Sequence, residues 1–463
     1  MQNDSTIKKI SFVAFSNIIK LISSVLIGFF IPNILGLTNY SFYKVFTLYL
    51  TYIGLFHFGF IDGIYLKYGG IEYSSLNKIK FRLYFRFFIY FELIIVSIGM
   101  ILTLLFVDGE KKIIFILLFL NLISINLTTY YQFISQITSR FKEYSTRLIV
   151  LSITNIIIVA ILYLLKISDY RIYIGCIIAV NYFLLFWYIY TYRDISFGKS
   201  GKISDVKNDL LNLFRLGIPL LLANLASTFV VTVDKQIVEI FFPVEVFGIY
   251  SFAFNMLTMI TVVVSAVGVV LYPILKNTSM DNISRNYSNL NRVIVIIVLI
   301  GLVGYFPLLW IIPKFLPDYV DSLIIFRIAL PGLVLTSSIS AVKFNFYKII
   351  DKSIDYFIIG LGTVIISILI NLIFYKIYGT VISIAIASVI GLSIWYILTE
   401  IYMVKKHNIQ WKLNALLIFM GISTFYIITS IDNLVISGII YACFITIIFL
   451  LNYKIVFKTL RIK

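Results

Sequence analysis

Apolar residues in this chain neither alternate with polar ones nor keep to one helical face. They run on, in stretches of about 20 residues separated by short polar punctuation. A helix of about 20 mostly apolar residues is what it takes to cross a bilayer. Roughly fourteen such stretches are readable, six of them near 10–31, 41–61, 83–107, 113–138, 148–165 and 172–192. After the longest polar linker come 211–241, 246–275, 293–312, 323–349, 356–375 and 380–404, then 413–431 and 434–456. Continuous apolarity predicts helices and excludes a barrel, whose strands would show as alternating segments of about 10 residues. The first stretch follows Lys8 and Lys9 as a signal peptide would, but it is longer than a usual apolar signal core and lacks a small-residue cleavage site. It reads as an uncleaved first span.

Composition agrees: 61% of the 463 residues are hydrophobic and the mean hydropathy is +1.01, too apolar for a water-soluble globule and for most enzyme folds. The net charge of +17 would suggest nucleic acid in a polar protein, but only 13% of this chain is charged, so the excess reads as topology and no nucleic-acid partner is implied. With the amino terminus inside, the inner loops and tail hold Lys and Arg over the outer loops by about four to one; Lys111, Lys112, Lys166, Arg171, Lys314 and Lys376 are the outer exceptions. The positive-inside rule then places both termini in the cytoplasm, and an even number of spans agrees. Cys176 and Cys443 lie in apolar runs, and His57 and His407 have no carboxylate or cysteine at ligand spacing. Neither a metal nor a cofactor is expected.

An internal repeat divides the chain. At an offset of about 210 residues Tyr40-Ser41-Phe42 aligns with Tyr250-Ser251-Phe252, Arg82 with Arg292 and Lys142 with Lys352; after a slip of two, Trp187-Tyr188-Ile189 aligns with Trp395-Tyr396-Ile397. One near-constant register through successive spans marks a duplicated unit. Six spans per unit make the repeat parallel, a transporter architecture in which the substrate site lies between halves that rock against each other. The expected organisation is an all-α integral membrane protein of about fourteen transmembrane helices, two six-helix bundles around a central cavity. The N-terminal bundle covers 1–192, a cytoplasmic linker 193–210 and the C-terminal bundle 211–404; two extra spans and a basic tail fill 405–463.

An ionisable side chain at mid-bilayer costs about 2.5–3.5 kcal/mol on insertion scales, so each one inside a span is a functional candidate. The basic ones are Lys20, Lys44, Arg86, Lys235, Arg327 and Lys343; the acidic ones are Glu92, Asp234 and Glu239, with Glu400 near a span end. The positive excess suits an anionic cargo, because ammonium and guanidinium groups bind phosphate oxygens as charge-assisted donors. Lys20, Lys44, Lys235, Lys343 and Arg327 are the candidate substrate-binding set. Lys20 stands about three turns from Lys9, a strained distance for snorkelling, whereas Lys44 is close to the outer loop. Arg86, near the inner surface, reads as an interfacial anchor. Asp234 and Lys235 point about 100° apart on a helix; one of them is placed to bridge bundles. Asp234 with Glu239 is a candidate coupling or pairing site. Arg327 and Lys343 lie sixteen residues apart, roughly 24 Å along a straight helix, with Pro331 between them as an expected kink. His57 has no partner within a turn and reads as a core polar residue. Asn17, Asn126, Asn224, Asn255 and Asn371 are placed to bind sugar hydroxyls or, by default, to hold helices together.

The second half opens with Leu216-Gly217-Ile218-Pro219, continues through Val233-Asp234-Lys235, and reaches Gly248-Ile249-Tyr250-Ser251. This Gly-x-Pro opening, Asp-Lys pair and Gly-x-Tyr-Ser motif resemble the polysaccharide-exporter, O-antigen-unit flippase (Wzx-type) branch of the multidrug/oligosaccharidyl-lipid/polysaccharide (MOP) flippase superfamily. Asn371 through Tyr378-Gly379, with Ala385 and Ala387, is similar to that branch's eleventh and twelfth helices. The resemblance covers nearly the whole chain and implies the two-bundle fold, cavity-lining first, second, seventh and eighth helices, and export of a lipid-linked oligosaccharide of the undecaprenyl pyrophosphate type. It further implies residence in the bacterial inner membrane beside other polysaccharide-assembly proteins. Two alternatives remain: a cation or drug exporter of the same superfamily, which would favour acids in the spans, and a polytopic glycan polymerase or glycosyltransferase, which would need a catalytic set on a sizeable outer loop. Every expected outer loop is about ten residues or shorter.

Overall fold

The computed structural model describes residues 2–258, 283–350, 352–407, 409 and 411–460. The eighth expected span beyond Thr258, with Lys276, Arg461 and Lys463, lies outside them. All regular structure among the described residues is helical. Among the described residues ten helices are long and apolar enough to cross a membrane, or eleven if one bent pair counts as a single span, and the chain is a multi-pass membrane protein. It divides into two compact units, Met1–Leu225 and Ala226–Lys463.

The first unit begins with α1 (Gln2–Ile53). Its apolar part, Phe12–Ile53, has 42 residues, about 63 Å of helix and twice a hydrocarbon core. The run is two helices joined at Gly36, whose backbone leaves the helical region (φ 67°, ψ 172°) between the first two expected spans. A Cβ there would touch nothing within 4 Å, so conformation and not crowding calls for glycine. Pro32, one turn earlier, has no N–H to donate. There follow α2 (Phe60–Tyr68), α3 (Lys78–Phe106), α4 (Gly109–Ile137), α5 (Phe141–Leu164), α6 (Tyr170–Thr191) and α7 (Lys207–Val230). Asn77 caps α3 by accepting from the Lys80 N–H, and Asp169 caps α6 by accepting from Arg171 N–H. The principal pairings are α1 with α5, α4 with α6 and α3 with α4.

Burial in both units inverts the soluble pattern. Leu105, Phe106, Leu164 and Leu451 face outward, while the largest fully buried side chains are tyrosines, among them Tyr84, Tyr130, Tyr131, Tyr188, Tyr192 and Tyr287. Lipid solvates Leu as well as a protein interior does, so helix association rests on packing and hydrogen bonds, which tyrosine supplies together. Tyr131 stacks on Tyr188 (centroids 5.9 Å, planes 5° apart) and on Tyr192 (5.6 Å, 13°). Its hydroxyl meets Ser196 Oγ at 2.6 Å, and Tyr192's meets Ser135 Oγ at 2.7 Å.

The second unit contains α8 (Val233–Phe241), α9 (Val244–Thr258), α10 (Ile283–Gly301), α11 (Tyr305–Phe315), α12 (Ser322–Ala329) and α13 (Gly332–Ser337). A π-helical turn, Ser338–Lys343, leads into α14 (Phe344–Ile349), followed by α15 (Ser353–Tyr378), α16 (Val381–His407), α17 (Lys412–Ile428) and α18 (Leu434–Leu460). The bend expected at Pro331 is present: the helices on either side of it differ in direction by 44°, since Pro331 lacks the N–H that would bond the Arg327 carbonyl. The expected single span 211–241 is interrupted. Thr232 leaves helical geometry (φ −131°, ψ −4°), ending α7 and starting α8.

Candidate functional site

The break at Thr232 places Asp234 in the first turn of α8, where a carboxylate is favoured by the exposed N–H groups. Asp234 Oδ1 accepts from the Lys235 N–H (2.8 Å), and Oδ2 accepts from the Tyr250 hydroxyl (2.7 Å) on α9. Both carboxylate oxygens are therefore engaged within the unit. The Lys235 side chain turns instead to the Phe254 ring, with Nζ 4.7 Å from its centroid, and among the described residues no carboxylate lies within ion-pair distance of it. A ring face attracts an ammonium but leaves its N–H donors available to an anion. Glu239, buried on the same short helix, is five residues on and about 140° around from Asp234.

The first unit shows a parallel arrangement. Lys44 lies over the rings of Tyr40 (5.3 Å) and Tyr43 (5.7 Å). In the repeat register Tyr40 corresponds to Tyr250 and Lys44 to Phe254. Each unit thus sets one lysine on aromatic rings at the same helical turn, supplied in the first from that helix and in the second from the helix before. Lys20, one turn before Ser24 on α1, is exposed; its carbonyl accepts from the Ser24 hydroxyl.

The other candidates have internal partners. Lys343 ends the π-helical turn fully buried, with Nζ 2.9 Å from Glu400 Oε2, 2.8 Å from the Tyr396 carbonyl and 3.2 Å from Thr399 Oγ1. Glu400 Oε2 also accepts from the Tyr287 hydroxyl at 2.6 Å. Arg327 on α12 donates to Thr429 Oγ1 (3.1 Å) and Ser430 Oγ (2.8 Å) just past α17. Glu92 accepts from Asn126 Nδ2 at 3.0 and 3.1 Å, tying α3 to α4, while Asn17 and Asn371 bond carbonyls of their own helices. Among the described residues no group of three His, Cys, Asp or Glu is placed to hold a metal.

Two polar groupings had no local signal. His57 Nδ1 accepts from the Gly59 N–H (3.0 Å), and Nε2 lies 3.8 Å from Asp62, just beyond the turn in which a partner would be sought. At the amino end of α7, Asp209 takes Lys67 and Lys80 together. The linker before it is fastened too. Arg82 donates to the Asp194 carbonyl (2.8 Å) and the Lys199 carbonyl (2.9 Å), and the Asp194 carboxylate accepts from the Tyr73 hydroxyl and pairs with Lys78 at 2.9 Å. Burial pushes the Asp194 carboxyl up, but the Tyr73 hydroxyl and the Lys78 ammonium outweigh it and hold it below the usual carboxylate range.

No protein-family model matches the sequence, and no curated protein does. Solved structures do. A lipid II flippase, MurJ, in an inward closed conformation is 18% identical over 98% of this chain and 99% of its own, with a TM-score of 0.73. An inward-facing multidrug resistance MATE family transporter of the MOP superfamily is 15% identical over 89% of this chain and 99% of its own, with a TM-score of 0.63. An outward-facing one is 12% identical over 87% and 96%, with a TM-score of 0.57. At these identities the likeness establishes the fold, which this chain shares with flippases and drug transporters along nearly its whole length.

Proposed function

We propose that this protein is a flippase that moves a polyprenyl-pyrophosphate-linked oligosaccharide unit from the cytoplasmic to the outer leaflet for O-antigen or capsule assembly, by alternating access. The observation that carries the reading is the contrast between three acids inside the helices and the Lys235 ammonium. Asp234, Glu92 and Glu400 accept hydrogen bonds from within their own units, whereas the Lys235 ammonium rests on a ring with its donors unmatched by a carboxylate. A cation exporter needs the reverse. Anionic oxygens of a pyrophosphate are suited to Lys235, Lys44 and Lys20. The fold held in common with a lipid II flippase supports the same direction. Asp234 and Glu239 are kept for coupling or for pairing, and Arg327 and Lys343 are assigned to holding helices.

The topology we propose has fourteen crossings. α1 supplies two, the pair bent at Pro331 one, and the shorter apolar helices Val244–Thr258 and Lys412–Ile428 one each beside the other long helices. Six crossings per half make the repeat parallel, and the basic loops put both termini in the cytoplasm of a bacterial inner membrane. Other polysaccharide-assembly membrane proteins are the expected neighbours.

The test is the leaflet distribution of lipid-linked oligosaccharide, read with a sugar-directed probe on sealed vesicles of known orientation. Cells lacking the protein should accumulate complete units on the cytoplasmic leaflet, and Lys235→Gln should restore export poorly at a normal protein level. Normal arrival of units at the outer leaflet without the protein refutes the proposal.

A further inference from the structure

Asp209 stands in the first turn of α7 between two lysines that approach it from different helices. Lys67, in the last turn of α2, is 2.9 Å from Oδ1, and Lys80, in the first turn of α3, pairs with Oδ2. Each carboxylate oxygen thus has its own ammonium. The lysines are set independently of the acid: Lys67 lies over the Tyr68 ring (5.6 Å), Lys80 over the Tyr84 ring (6.0 Å), and the two tyrosine hydroxyls share a hydrogen bond of 3.1 Å. All three charged side chains keep between 27% and 29% of their surface exposed, so a ligand can reach them. Two ammoniums held on linked rings, each presented to a separate oxygen of one anion, are also what a phosphate group requires.

The acid that fills this cradle is attached to a helix whose next turns press backbone against backbone on α2. A Cβ on Gly217 would lie 1.8 Å from the Gly59 carbonyl oxygen, and one on Gly63 2.0 Å from the Leu213 carbonyl oxygen. Phe214 sits among Phe60, Phe87 and Phe91, at centroid distances of 5.6, 6.1 and 5.8 Å. Beyond this contact comes Pro219, which cannot donate to the carbonyl of Arg215. The first turns of α7 are therefore held to α2 and α3 by the ion pairs and the close contact, and joined to the rest of α7 through a weakened turn.

We propose that Lys67 and Lys80 form a binding site for the phosphate groups of the lipid-linked substrate, that Asp209 occupies this site as an internal stand-in for them, and that exchange of Asp209 for phosphate frees the first turns of α7. This rests on the flippase reading for the identity of the ligand. The site belongs to the basic side of the membrane, where the proposed topology has the substrate load. Its chemistry is that of a phosphate oxyanion, which a bulk anionic phospholipid presents as a phosphodiester and the lipid-linked substrate as a pyrophosphate.

The experiment uses the full chain in phosphatidylcholine nanodiscs, with inorganic pyrophosphate as the probe, calorimetry for affinity and amide hydrogen exchange over residues 207–217 for release. Asp209→Asn should bind pyrophosphate about three- to tenfold more tightly than the wild type, the size expected from removing two partly exposed ion pairs. Lys67→Gln with Lys80→Gln should abolish this binding, and Lys67→Arg with Lys80→Arg should retain it, separating the site from a folding defect. Pyrophosphate should speed exchange of the 207–217 amides in the wild type. Unchanged affinity in Asp209→Asn, or unchanged exchange with pyrophosphate, overturns the proposal. Phosphatidylglycerol in place of phosphatidylcholine should leave the exchange slow; release by that lipid alone would assign the cradle to bulk headgroups and overturn the substrate assignment. Failure of the leaflet assay with the pyrophosphate results intact removes the flippase reading and leaves the anion site. The opposite pattern removes this proposal and leaves the flippase reading.

Discussion

Replacing Lys343 by methionine isolates the energetics of the buried network in the second unit. The lysine is fully buried, and its ammonium is the cationic partner of Glu400 at 2.9 Å. Removing it leaves Glu400 Oε2 with the Tyr287 hydroxyl and a buried charge uncompensated, which costs about 3–5 kcal/mol. Lys343→Met with Glu400→Leu removes both charges, but the Tyr287 hydroxyl, itself fully buried, then loses its acceptor, a residual cost of about 1–3 kcal/mol. Adding Tyr287→Phe removes that orphan, and the triple variant should return to within about 1 kcal/mol of the wild type, since apolar replacements of buried ion pairs are often neutral. The measurement is unfolding of the purified protein in mixed micelles on titration with a denaturing detergent, followed by intrinsic fluorescence. A monotonic rise in stability from single to double to triple variant is expected. If the triple variant stays 3 kcal/mol or more below the wild type, the network is not a self-contained ion-pair cluster and the reasoning fails. Leaflet transport in the stable triple variant also tests Lys343: retained transport assigns it to structure, and lost transport returns it to the substrate-binding set.

Gly217→Ala would set a methyl 1.8 Å from the Gly59 carbonyl oxygen; it should cost about 1–3 kcal/mol through overpacking and lower the thermal transition of the detergent-solubilised protein, whereas Gly304→Ala, which meets nothing within 4 Å, should leave it nearly unchanged. Acid should loosen the linker. The folded Asp194 carboxyl titrates below its unfolded value, so its contribution is fully present above the ordinary carboxylate range and is lost as pH falls through the folded value. Proteolysis between 193 and 206 should accelerate over that window in the wild type and be fast at all pH values in Asp194→Asn; a pH-independent wild-type rate would contradict the assignment.

Features written in one stretch of chain were legible from sequence. Apolar runs announced the helices and Pro331 announced the bend. Pairing was not legible. Lys343 finds Glu400 through a π-helical turn on one helix and the closing turns of another, and nothing near either residue signals the other. Asp209 likewise meets Lys67 across most of the first unit's sequence. The interruption at Thr232 has no proline or glycine to mark it. A deeper reason lies in the solvent: where lipid and interior are equally apolar, hydrophobicity tells which residues are in the membrane but not which way they face. Lys20, exposed on α1, and Lys343, wholly enclosed, therefore looked alike as candidates.

The tyrosine interior has a consequence for biosynthesis. A buried phenol hydroxyl and its partner on another helix cannot bond until the later of the two helices is made. Tyr192 follows Ser135 by 57 residues and Glu400 follows Tyr287 by 113; at about 5–20 residues per second these intervals last roughly 3–11 s and 6–23 s. During that time Tyr287 lacks the acceptor it has in the folded unit, and slowing translation ahead of residue 400 would lengthen the interval. The order of synthesis thus becomes part of how this interior is assembled.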